Sequence, residues 1–336
     1  MISSSLFIGE GSEIRYDWEK ESAIPVISVA FPIIPRLCSS AGHWKVTRPM
    51  KFALAISLCI SGLLWGQDSP LTGQRASTQN EELVVHRGSS KLRAVIVQEG
   101  EDLLRSMATI AGEPKGKPYP VVLEIHPAKE EAPSRIVRSF RTLPENENRY
   151  RLQVDLRLGA GESFDQENLR LVLLEMFIIE RGLKSLPDGE RATQVGVPAW
   201  LLYGLMASLE WDDGKMDRRV YGSLLKSGGW MEVEKLVDQK EVEKMDRLSR
   251  DLYRASTCAL VRAFLKQPKG KDGMAQLVSV VGTFEGEQIS LIQNHFSEVN
   301  LSRKGLERMW MLQVAAMAQS RLADAMTIAE TEAELK

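Results

Sequence analysis

Glu175 is the side chain in this sequence with the strongest claim to chemistry. It stands inside Asn168 to Ile179, NLRLVLLEMFII, where Arg170 is the only other charge. At helical spacing such a segment has no polar face and must be buried. A carboxylate carried into a core costs several kcal/mol unless it is paired or protonated. As a catalytic base it would need an electrophile or a Lewis acid beside it. As a structural group it needs a hydrogen-bond partner, for which the Tyr203 hydroxyl is a candidate, or a raised pKa that keeps it neutral. Little else in the chain competes with it. His43, His86, His126 and His295 are far apart, and no two share a predicted helix, so their spacing gives no metal site. There is no Gly-rich phosphate loop and no G-x-S-x-G elbow. Glu210, Asp212 and Asp213 around Trp211 lack the spacing of a calcium loop and read as a solvated turn. Trp200, Trp211, Trp230 and Trp310 either line a groove or, as their Leu neighbours at helical spacing favour, fill the core.

A second stretch pairs with the first. Val197 to Leu205 reads VPAWLLYGL. Zinc peptidases of the gluzincin type carry H-E-x-x-H on a buried helix, where residues i and i+4 present two imidazoles to one Zn and the Glu between them is the general base. A later helix supplies a Glu ligand, often from a run like P-x-W-L-x-E-G-L. Leu174-Glu175-Met176-Phe177-Ile178 is in register with the first motif, and Pro198 to Leu205 with the second. On these residues the chain resembles the peptidase-MA-like gluzincins. The positions matching the metal ligands hold Leu174, Ile178 and Tyr203, and of the three chemical roles only the base position, Glu175, keeps its residue type. The resemblance therefore implies a zincin-like scaffold without its metal: no catalytic residue, no metal, no cofactor. Glu175, Trp200 and Tyr203 remain as former active-site positions that a ligand would meet.

The elements that must position these residues follow from periodicity. Leu83 to His86, Val121 to Ile125 and Ile136 to Phe140 read as short strands. Tyr150 to Leu156 alternates cleanly, with Tyr150, Leu152, Val154 and Leu156 on one face and Arg151, Gln153, Asp155 and Arg157 on the other. Ser90 to Ala111 has helical spacing and is stopped by Gly112 and Pro114. Beyond Gly161 the chain reads as helical throughout: the Glu175 helix, the Trp200 helix behind Pro198, Asp217 to Lys226, Met231 to Val237, Asp251 to Lys266, Gly273 to Val281, Gln288 to Val299, and Ser302 to Ser320 with Ser302 as N-cap. The expected fold is α+β, zincin-like, with a strand-rich subdomain at 81–158 packed on a mainly α-helical one at 162–336.

The remaining chain, 1–80, reads differently. Residues 1–49 have no periodicity and read as an unstructured or mis-assigned upstream segment: the simplest account starts translation at Met50, and the alternative is a genuine 49-residue leader before an uncleaved anchor. Residues 50–66 have the form of a secretory signal, with Lys51 before the uncharged run Phe52 to Trp65. That run is too short to span a bilayer as a mature helix. Residues 67–80 read as a linker. The expected location is periplasmic or extracellular, with membrane attachment only through an uncleaved signal. Cys38 and Cys59 fall in the leader and signal, so Cys258 is left alone and no intramolecular disulfide can form. With 43 Lys+Arg against 45 Asp+Glu, the net charge of −2 gives no support to nucleic-acid binding.

The function expected from these readings is that of an exported non-catalytic pseudo-metallopeptidase. Its former substrate cleft would hold a polypeptide or a protein partner, since extended peptides add readily to a sheet edge. The alternatives are a hydrolase using another site on the same scaffold and a purely structural envelope protein.

Overall fold

Alternating apolar residues commit Val121–His126 (β4) and Tyr150–Arg157 (β6) to strands that bury one face, while Leu83–His86 (β3) is a short apolar run buried over its first three residues. The computed structural model describes Ile14–Arg15 and residues 75–319, apart from 114–115, 117–118, 128–131, 144–149, 188–189, 193–194, 228–230 and 297–301. Apart from Ile14–Arg15, the upstream segment lies outside the described residues, as do the signal, Trp230 and His43. Helix α1 (Ser90–Ala111) connects β3 to β4, which pair in parallel, and β6 adds in parallel on the far side of β4. Arg135–Thr142 (β5) pairs antiparallel with β6. Arg75–Ser77 (β2) pairs antiparallel with β3, and Ile14–Arg15 (β1) lies antiparallel on β5, giving the order β1-β5-β6-β4-β3-β2. β2 falls within the stretch expected to be linker.

The two faces of this mixed sheet differ in chemistry. Leu83, Val85, Val121, Leu123, Ile125, Leu152, Val154 and Leu156 are all excluded from water on the inner face. The opposite face carries Val122, Glu124, His126, Gln153 and Asp155, each partly exposed. Period-two alternation is thus the whole cause of the layering.

The helices cover the inner face. Gln166–Lys184 (α2) starts at Asp165, whose carboxylate accepts from the Asn168 amide at 3.0 Å, and it ends with Arg181 and Lys184 against its own carbonyl dipole. It touches α1, β4 and β5 on one side, and on others Ala199–Asp212 (α3) and Gly270–Val281 (α7). The remaining helices are Arg219–Ser227 (α4), Val233–Asp238 (α5), Arg247–Leu265 (α6), Gln288–His295 (α8) and Arg303–Ala318 (α9). Ser302 does cap α9, accepting from the Gly305 amide at 3.3 Å. The fold is therefore α+β, a strand-rich portion followed by a helical one.

Two close approaches fix α2 and α3. At Gly204 of α3, a Cβ would stand 2.7 Å from the Thr257 carbonyl oxygen and 2.8 Å from Val261 Cγ2, so only a residue without a side chain lets α3 cross α6 at this distance. At Gly282, just past α7, a Cβ would stand 2.8 Å from the Ile179 Cα of α2. Helix α2 runs further than the apolar stretch predicts because its last turn carries polar groups that find partners. Lys184 Nζ meets Glu180 Oε1 at 2.6 Å, and the Tyr119 amide donates to the same oxygen at 2.9 Å.

Candidate functional site

The residues aligned with a metal site fall into two environments. Leu174 and Ile178 are wholly excluded from water and belong to the continuous hydrophobic core. Glu175, between them on α2, is also buried, but its carboxylate is turned to the sheet, where the Arg138 guanidinium of β5 donates to Glu175 Oε2. Arg138 pairs in register with Val154, so it sits on the inner face of β5 with Ile136 and Phe140. The expected partner, the Tyr203 hydroxyl, is replaced by this guanidinium. A charge answers a charge because a hydroxyl alone would not offset the desolvation of a carboxylate.

Burial still outweighs the pairing. Desolvation raises the Glu175 carboxyl to about 7 although Arg138 pulls the other way, and Glu243 on the short turn Val242–Lys244 adds to the rise. Near neutrality the group is divided between its two forms. The same surroundings act on Tyr203 of α3. Burial first and Glu243 next raise its hydroxyl to about 12, against the pull of Arg250, Arg254 and Arg138. Tyr203 meets Tyr253 of α6 edge-on at 6.1 Å, and the Tyr253 hydroxyl donates to the Leu236 carbonyl at 3.2 Å. Arg254, one residue on, bonds Glu167 of α2 at 2.5 Å and Glu210 of α3 at 2.9 Å. One guanidinium thereby ties α6 to both helices that carry the motif residues.

Trp200 lies elsewhere. It is fully buried against Phe264, rings 6.3 Å apart, with its indole N–H donating to Gln288 Oε1 at 3.3 Å. Trp310 is fully buried too, and its indole donates to the Ser256 carbonyl at 2.9 Å. Trp211 is half-exposed between the guanidiniums of Arg218 and Arg262. Glu175 and Tyr203 therefore share neighbours, whereas Trp200 serves the helical core. Cys258 is buried as well, and its thiol is pushed up to about 12 by desolvation.

Chemically, Glu175 is a carboxyl with a pKa near neutrality paired to the Arg138 guanidinium, with the Glu243 carboxylate and the un-ionised Tyr203 phenol in the same electrostatic surroundings. Its pKa would suit a general base. Leu174 and Ile178 flank it with hydrocarbon that offers no metal donor, and the Arg138 guanidinium already occupies one of its oxygens; of the matched ligand positions only Tyr203 carries an oxygen. Arg138 is the residue that motif reading missed. Its signal was present in β5, where alternation in phase with Ile136 and Phe140 puts an arginine among inward-facing residues. No protein-family model, curated protein or solved structure matches this chain.

Proposed function

We propose that this chain is an exported, non-catalytic pseudo-metallopeptidase of zincin-like build that binds an extended polypeptide along the outer edge of β5. One observation carries the reading. β5 bears the arginine that pairs with Glu175, the former base, and its outer edge already takes up an extended piece of the chain itself. Ile14 aligns with Phe140 and Arg15 with Ser139, antiparallel. The edge thus offers backbone donors and acceptors in a form that a peptide can complete as an added strand. Among the described residues that pairing involves Ser139 and Phe140 of β5. Leu174, Ile178 and Tyr203 support the non-catalytic part, since none of the three reproduces the zinc ligand of the family it resembles.

N-terminal sequencing and hydrogen exchange of the protein purified from its native cell test the two halves. The mature terminus is expected near Gln67, and a library of unstructured peptides is expected to slow exchange of the 135–142 amides without being cleaved. A terminus at Met1 or Met50 would remove the export reading. Turnover lost in Glu175→Gln, or peptide binding that leaves 135–142 unprotected, would remove the binding reading.

A further inference from the structure

The outer face of the sheet, opposite the Glu175–Arg138 pair, carries a second cluster. Glu124 and His126 are two apart on β4 and so share a face. Asp155 of β6 is the register partner of Glu124. Ligand-type atoms of the three lie within 4.8 Å of one another, and His126 Nε2 stands 3.3 Å from Asp155 Oδ1. A tetrahedral zinc with bonds of about 2.0–2.1 Å has neighbouring ligand atoms roughly 3.3–3.4 Å apart. One edge of such a polyhedron is therefore already formed, and the Glu124 carboxylate is within 4.8 Å of the other two ligand atoms.

We propose that Glu124, His126 and Asp155 bind a first-row divalent transition cation of the Zn2+ type. The backbone beneath them is pre-set, since β4 and β6 are inner strands with a neighbour on each side. The Gln153 amide donates to Asp155 Oδ1 at 2.8 Å and holds that carboxylate in place, as supporting groups around metal sites do. The donor set is two carboxylates and one imidazole, and an imidazole selects a transition ion over Ca2+ or Mg2+. Side-chain exposures of 22% for Glu124, 25% for Asp155 and 32% for His126 leave the outward side open to water, which completes the shell. His86 of β3 is aligned with Glu124 on the same face and is the nearest further imidazole by register.

Other charges face the same ground. Arg151 approaches Glu124 at 3.7 Å and Arg87 at 3.9 Å, both too far for a hydrogen bond. Arg157 is the register partner of His126 and is exposed. Loose exposed pairs of this kind contribute about 0–1 kcal/mol, so a dication that neutralises both carboxylates displaces the guanidiniums at little cost. Helical reasoning missed the cluster because its members are joined through strand register, which sequence spacing between residues 126 and 155 does not disclose. The site is independent of the proposed function, and its failure leaves that reading untouched.

The test is titration of the chelator-stripped full chain with ZnCl2 against a chromophoric competitor. About one Zn2+ per chain is expected, with affinity reduced at least about tenfold in His126→Ala and in the near-isosteric Asp155→Asn, and unchanged in His295→Ala. Zinc should also raise the thermal midpoint of the wild type and not of Asp155→Asn. Equal zinc affinity in wild type, His126→Ala and Asp155→Asn would overturn the assignment, as would wild-type binding weaker than about 1 mM, which is adventitious surface binding.

Discussion

Glu175→Gln separates the two forces that meet on this carboxyl. In the fold its pKa stands at about 7 against an ordinary 4.5, with burial as the largest cause. The folded protein therefore holds this proton more tightly than the unfolded chain does. Between the two values the unfolded state binds fewer protons, so stability falls as pH rises and the full loss is in place above about 7. The gap is worth about 3 kcal/mol. Glutamine keeps an oxygen for Arg138 and cannot ionise, so it is nearly neutral where Glu175 is protonated and gains on the wild type where Glu175 is charged. Urea unfolding of both proteins at about pH 4 and about pH 8 reads the difference, and buried Glu82 and Glu180, also raised, cancel because both proteins carry them. The variant should gain about 3 kcal/mol relative to wild type across that range, on the order of 1 M in urea midpoint. A difference that does not change with pH would refute the reasoning. One that moves against glutamine as pH rises would mean that the Arg138 charge outweighs burial.

Further outcomes follow from neighbouring features. Arg138→Ala strands the carboxylate and should cost about 3–5 kcal/mol at high pH and clearly less in acid, while Arg138→Met with Glu175→Leu should recover most of the loss, all read by the same unfolding curves. Gly204→Ala drives a methyl into the Thr257 carbonyl and should lower stability by about 1–3 kcal/mol or more, visible as an earlier thermal midpoint. Cys258, buried and with its thiol pushed up, should resist alkylation in the native protein and react at a rate set by unfolding, followed by peptide mass; fast native labelling would contradict its placement.

The legible part of the fold is the part governed by local periodicity. Tyr150 to Leu156 announces both its strand and its buried face. Ser90 to Ala111 is bounded by Ser89, which accepts from the Leu92 amide at 3.3 Å, and by Gly112 at φ 69°, both local signals. The burial of Glu175 could be read from its neighbours, but its partner could not, because Arg138 arrives from 37 residues away through the pairing of β5 with β6. Arg75–Ser77 escaped for a related reason. Arg-Ala-Ser has no strand propensity, and it is a strand only because β3 offers an edge. Glu124, His126 and Asp155 are likewise a product of register.

The composition of β5 bears on how the protein behaves in a crowd of its own kind. Arg135 aligns with Arg157 and Arg141 with Arg151, so like charges already face each other across the β5–β6 pair, an arrangement that weakens a sheet slightly. Two copies joining edge to edge through β5 would add the arginines of the second strand to those of the first. Sheets with open edges are prone to stack into filaments, and charged edge residues are a common guard against it. If the proposed cleavage near Gln67 takes place, the mature chain would lack Ile14–Arg15, and the arginines of β5 would then disfavour self-association through that edge while favouring a strand of different charge.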